Sequence, residues 1–161
     1  MSDILCLYYS RTGRTAATVS QIARALNAEL AEITDGVDRR GWRGYLLAGK
    51  EAMRRATHPL QPYAAEKPLG EYKMVILGTP VWAGRCCSPI RGLLKRRGLE
   101  LERVAYVLTR SSAHRYEEIF EQMDQYTAQK HLAAVSLRPG SVGYEFWRDR
   151  FVEDVRRCME K

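Results

Sequence analysis

The chain has 161 residues, 45% of them hydrophobic, with a formal net charge of +7 and a pI of about 9.4; that size suits one domain, residues 1–161, with a core of its own. No apolar run approaches a membrane span and no leader-type segment opens the sequence, so the expectation is a cytoplasmic protein with no membrane span. Cys6, Cys86, Cys87 and Cys158 lack the paired spacing of a metal site and read as reduced thiols, while the positive charge fits nucleic acid, an acidic partner, an anionic ligand or a plain basic surface and does not choose among them.

In chain order, ILCLYY (4–9) is a short apolar run of buried-strand type, followed by the hydroxyl-rich turn SRTGRT (10–15). Val19, Ile22, Ala23 and Leu26 then recur at helical spacing, and LAEI (30–33) reads as a second strand. Residues 39–55 are helix-compatible, with Tyr45, Ala48 and Ala52 on one face and Arg43, Lys50, Arg54 and Arg55 elsewhere. THPLQPYAAEKPLGEY (57–72), with its three prolines, reads as an irregular surface connection. MVILG (74–78) is the third strand, and Pro89 opens a helix carrying Ile90, Leu93 and Leu94. VAYVLT (104–109) is the fourth strand, followed by a helical pattern at Ile119, Phe120 and Met123. LAAVSL (132–137) is the fifth, and a last helix carries Trp147, Phe151, Val155 and Cys158. Strand alternating with helix predicts a doubly wound α/β sheet with helices on both faces, whose ligand crevice lies beyond the carboxyl ends of the strands.

The loops after strands are therefore where function belongs. In the first, Ser10, Thr12 and Thr15 offer hydroxyls, Gly13 permits close backbone approach, and the free amides opening the next helix favour an anion. An ordinary capped turn fits the same residues equally well. The chain has no G-x-x-x-x-G-K-[ST] and no G-x-G-x-x-G, so among phosphate ligands a single terminal phosphate fits best. The third strand ends in GTPVWAG (78–84), where Trp82 is expected on a loop, either packing over the strand end or offering a flat face to a planar ring. The fourth ends in TRSSAH (109–114), again hydroxyl-rich and on the same edge.

These motifs resemble those of the flavodoxin family. SRTGRT is similar to the family's phosphate loop, GTPVWAG to the loop covering one flavin face, and TRSSAH to the loop along the other. The resemblance implies a three-layer flavodoxin-like fold of five parallel strands in order 2-1-3-4-5 and an FMN cofactor. It places Ser10, Arg11, Thr12, Gly13, Arg14 and Thr15 around the phosphate. It places Thr79, Pro80, Val81, Trp82, Ala83, Gly84 and Arg85 along the isoalloxazine, and Thr109, Arg110, Ser111, Ser112 and His114 on its pyrimidine side. The chain departs from the family pattern in having Arg14 where asparagine is common, and Ser111, Ser112 and Ala113 where the third loop is usually rich in glycine. It is also basic where many flavodoxins are acidic, with Arg11, Arg14, Arg85, Arg110 and Arg115 expected around the flavin edge.

The remaining signals are bland. Cys86 and Cys87 read as packing residues, His58 and His131 as structural or solvated, and His114 as a solvated histidine within a site loop. There is no C-x5-R phosphatase loop, and the first and third strands do not end in the aspartate of a receiver domain. The arginines between residues 39 and 55 have only sparse aromatic interleaving and read as a solvated face, so no nucleic-acid partner is expected. No metal ligand set and no substrate-specific catalytic residue stand out. The sequence thus favours an FMN-binding electron carrier with a redox partner protein, acidic if the arginine rim meets it. An FMN-dependent reductase of quinone type using NAD(P)H, and a flavin-free interaction module, are the alternatives.

Overall fold

A computed structural model describes residues 2–161. The strands are β1 (Ile4–Tyr8), β2 (Glu29–Glu32), β3 (Met74–Trp82), β4 (Arg85–Cys86), β5 (Val104–Thr109) and β6 (Ala133–Leu137), and the helices α1 (Arg14–Leu26), α2 (Gly41–Arg54), α3 (Ser88–Arg97), α4 (Glu118–Asp124) and α5 (Tyr144–Glu160). The long strands pair in parallel in the order β2-β1-β3-β5-β6. With the short β4 set aside, this is the expected order.

The apolar runs lack polar alternation because both faces of the sheet are covered. Leu5, Leu7, Val75, Leu77, Tyr106 and Leu108 point to one face, into a core shared with Ala48 and Ala52 of α2, Ile90 and Leu93 of α3, and Ile119 and Met123 of α4. Ile4, Cys6, Met74, Ile76, Ala105 and Val107 point to the other, against Val19 and Ile22 of α1 and Phe151 and Val155 of α5. At Gly78, a Cβ would come within 2.4 Å of Val19 Cγ2, so the glycine lets α1 lie close on β3. That approach brings the first turn of α1 to the carboxyl edge of the sheet.

Three sequence expectations are corrected. The third strand does not stop at Gly78 but runs on to Trp82 and turns back as β4, with Val81 opposite Cys86 and Trp82 opposite Arg85. The two turn residues, Ala83 (φ 49°) and Gly84 (φ 76°), both have positive φ, the requirement of a two-residue hairpin whose twist matches its strands. Tyr45 does not share the buried face of Ala48 and Ala52 but is 66% exposed. Trp147, placed by periodicity on the core face of α5, is also partly exposed, with the Arg115 guanidinium over its ring at 5.1 Å. The connection over 57–72 is irregular as expected, apart from one 3-10 turn at Leu69–Glu71. Cys86 and Cys87 are buried, and burial pushes the Cys87 thiol up to about 12, which suits packing rather than reactivity. No helix among the described residues is long and apolar enough to cross a membrane.

Candidate functional site

A cavity of about 830 Å³ opens at the carboxyl ends of β1, β3 and β5. Its volume lies in the ordinary range for small-molecule sites. Three of its walls are the loops singled out in the sequence: Arg11, Thr12, Arg14 and Thr15 from the first, Pro80, Val81, Trp82, Ala83 and Gly84 from the second, and Thr109, Arg110, Ser111 and Ser112 from the third.

The first loop takes its shape from Ser10. Its hydroxyl accepts the amides of Gly13 (2.9 Å) and Ala16 (3.2 Å), while Gly13, at φ 93°, turns the chain into α1. Neither Ser10 nor Gly13 lines the cavity; both shape the loop that does. Among the described residues, the amides of Thr12, Arg14 and Thr15 have no protein acceptor, as expected for a loop that hands over to a helix. Thr15 and Thr109, both buried, share a hydrogen bond of 2.7 Å between their hydroxyls, which ties the first loop to the third.

The fourth wall was not expected. Tyr45, Leu46, Gly49, Lys50, Met53 and Arg54 of α2 line the cavity, and Tyr116 closes it from the segment before α4. Among the described residues, the cationic side chains on the cavity are Arg11, Arg14, Lys50, Arg54 and Arg110, and no aspartate or glutamate lines it. This is a different set from the expected arginine rim. Arg85 does not line the cavity, and Arg115 pairs with Glu117 at 3.0 Å beside Trp147. Arg110 is anchored by Ser136 Oγ (2.9 Å) and the Ser112 carbonyl (2.7 Å); burial and the neighbouring Arg115 and Arg138 charges pull its pKa below that of an ordinary arginine. Arg11 lies over the Tyr45 ring at 5.6 Å and so bridges the first loop and α2.

Other expected site residues also fall away from the cavity. Thr79 is fully buried, donates to the Pro80 carbonyl and accepts the Cys87 amide at 2.9 Å, so it holds the entry to α3. His114 is exposed, 3.3 Å from Glu118 and edge-on to Tyr116. Trp82 does reach the cavity, but from the end of β3 rather than from a loop, and only 6% of it is exposed. Its ring meets Tyr9 edge-on at 5.5 Å and has the Arg39 guanidinium over it at 5.1 Å. The exposed aromatic ring of the cavity is Tyr45, with Tyr116 half-buried beside it.

Behind Trp82 lies a buried polar cluster that the sequence reading missed. Arg39 donates to both carboxylate oxygens of Asp35 (2.8 and 2.7 Å) and both of Glu51 (3.2 and 2.8 Å), and reaches Ser88 Oγ at 3.1 Å. Burial works to raise the Asp35 carboxyl, but hydrogen bonds from Arg39 and the Val37 amide, with the Arg39 charge, hold it below the ordinary carboxylate range. A Cβ on Gly44 would overlap the Arg39 backbone at 1.8 Å, so α2 packs onto this cluster through a glycine.

Backbone strain also concentrates at the cavity. Among the described residues, the positive-φ residues other than glycine are Asn27, Arg55, Ala83 and Tyr116. Asn27 and Arg55 end helices, an ordinary use of that conformation, whereas Ala83 and Tyr116 line the cavity. For a tyrosine, φ 57° is a costly conformation.

Parallel strands in the order β2-β1-β3-β5-β6, helices on both faces and a crevice at the carboxyl ends of the central strands define the flavodoxin-like class of α/β folds. Solved structures similar to this chain bear that out. A flavoprotein from Lactobacillus acidophilus, determined in complex with FMN, is 21% identical with a TM-score of 0.67, covering 91% of this chain and 99% of its own. A Bacteroides eggerthii protein assigned as a flavoprotein is 17% identical with a TM-score of 0.72, covering 94% and 98%. An NAD(P)H:quinone oxidoreductase from Methanothermobacter marburgensis is 13% identical with a TM-score of 0.52, covering 96% and 94%. No family model matches the sequence, and no curated protein matches it.

Proposed function

We propose that the chain binds FMN in the 830 Å³ cavity and acts in electron transfer. The observation that carries the reading is charge: Arg11, Arg14, Lys50, Arg54 and Arg110 face the cavity with no carboxylate among its lining residues, so the site suits an anionic ligand. The free amides of Thr12, Arg14 and Thr15 and the Thr12 hydroxyl would hold a terminal phosphate at the first turn of α1. Tyr45, Met53 and the hairpin at Ala83 and Gly84 would border the flavin ring. Bound FMN supplies one- and two-electron redox chemistry; the chain's part is to bind, orient and shield it. The FMN complex of the similarly folded Lactobacillus protein supports the choice of cofactor.

A reductase using NAD(P)H gains support from one further feature. Lys50 and Arg54 belong to the α2 wall rather than to the first loop, so a second group of cations is available to a second anionic reactant, and the similarly folded Methanothermobacter protein is an NAD(P)H:quinone oxidoreductase. The carrier reading is favoured because no side chain on the cavity is a specific catalyst for one substrate.

The absorption spectrum of the purified protein and stopped-flow mixing with NADPH and NADH test both readings. The expected result is a flavin spectrum and reduction only through an added reductase. Rapid, saturable bleaching by NAD(P)H alone would replace the carrier with the reductase, and a chain that neither contains nor takes up flavin would leave an interaction module.

A further inference from the structure

A second, smaller cavity of about 70 Å³ lies on the other side of the β3–β4 hairpin. It is lined by Arg55 at the end of α2, Arg85 and Cys86 of β4, Arg91 of α3, and Gln122, Met123, Gln125 and Tyr126 in and after α4. Arg91 is only 3% exposed. Its Nη2 donates to the Cys86 carbonyl at 3.3 Å, and its Nη1 is buried with no hydrogen-bond partner. Among the described residues, none of Arg55, Arg85 and Arg91 has a carboxylate within ion-pair distance, and the side chains of Gln122, Gln125 and Tyr126 have no protein hydrogen-bond partner.

A guanidinium taken out of water without a counter-charge is strongly disfavoured, which is why buried charges in proteins are paired. Here the pairing group is missing from the chain, while two further arginines and three neutral polar side chains converge on the same space. We infer that this cavity is a binding site for a small oxyanion of phosphate or sulfate type, with Arg91 as its buried anchor and the exposed Arg55 and half-buried Arg85 as its rim. Its size admits such a group and excludes a nucleotide. Arginine is suited to the task because its planar fork binds two oxygens of one oxyanion at once. Arg85, expected from the sequence at the flavin edge, thereby finds a different role. Because Arg85 and Cys86 form β4, an occupied site would fasten the back of the hairpin whose tip lines the large cavity.

Calorimetric titration with inorganic phosphate at constant ionic strength tests the site, with two substitutions separating it from the large cavity. The expected result is a saturable binding component that persists in Thr12→Ala and is weakened at least about tenfold in Arg91→Met. Compared in the Thr12→Ala background, Arg91→Met should also rise less in thermal midpoint with phosphate than the Thr12→Ala parent. If that variant fails to fold, the double variant Arg55→Gln/Arg85→Gln, which leaves the core intact, carries the test and should bind phosphate about tenfold more weakly. Binding that vanishes in Thr12→Ala, equal binding by wild type and the arginine variants, or no saturable heat at all would overturn the assignment.

Discussion

Two arginine-bearing regions meet at Trp82, and they handle charge in opposite ways. Behind the ring, Arg39 is met by Asp35, Glu51, Ser88 and Tyr9, so every direction of its guanidinium ends on an oxygen of the chain itself. In front of it, Arg11, Arg14, Lys50, Arg54 and Arg110 face a cavity with no carboxylate. The buried region has one arginine and the cavity four with a lysine, but number is not the main difference. What distinguishes them is compensation: charge paired within the chain holds the fold together, and charge left unpaired is available to a ligand.

The largest effect that would sharpen this contrast is on stability. Arg39→Met strips Asp35 and Glu51 of their shared partner and is expected to destabilise the fold by about 3–5 kcal/mol, whereas Arg54→Gln, on the cavity wall, should stay within about 0.5 kcal/mol of wild type in urea unfolding. Comparable losses in the two variants would break the contrast. The same cluster has a pH signature. Because the Asp35 carboxyl is held below its ordinary pKa in the folded state, its contribution is fully present above the ordinary value and is lost as pH falls through the lower folded value. The acid limb of an unfolding midpoint plotted against pH should therefore be steeper in wild type than in Asp35→Asn, with no corresponding difference in slope above pH about 5.

An intermediate effect tests the ligand side. Under the proposed function, Thr12→Ala should cost about 1.5–3 kcal/mol of FMN affinity and leave riboflavin, which lacks the phosphate, nearly unaffected. Equal losses by calorimetry would move the phosphate away from the first loop. The smallest effect concerns the hairpin tip. Ala83 holds a positive φ that glycine adopts freely, so Ala83→Gly is expected to be neutral or stabilising by up to about 1 kcal/mol. A clear destabilisation in thermal unfolding would mean that the Ala83 methyl makes a contact worth more than the strain it causes.

The sheet was legible because its strands are buried on both faces, which leaves ILCLY and VAYVLT as apolar runs that no exposed segment would carry. The three loop walls followed from the strands, since their positions after β1, β3 and β5 put them on one edge. The α2 wall did not follow. Periodicity separates residues that face the core from residues that do not, but it cannot separate a helix face bathed in solvent from one that borders a cavity, so Lys50 and Arg54 read as an ordinary charged surface. A signal was present in the glycines: Gly44 and Gly49 inside one helix weaken it unless the backbone is approached or space must be kept open. Gly44 meets the Arg39 backbone, and Gly49 borders the cavity. Arg39 itself was hidden because its partners are spread from residue 9 to residue 88, a grouping that only the fold creates. His114, Thr79 and Arg85 belong to loops that the family resemblance puts at the site, but none of the three lines the cavity: Thr79 bonds to the Cys87 amide at the entry to α3 and His114 lies beside Glu118 of α4.

The Ser10 hydroxyl has a kinetic consequence. By holding the Gly13 and Ala16 amides, it fixes the first loop in place as the protein folds, before any ligand arrives. The conformational entropy of that turn is therefore lost at folding rather than on binding. A ligand meets a loop already set, so association should run at the rate of encounter with a rigid site, and differences in affinity among loop variants should appear chiefly in how slowly the ligand leaves.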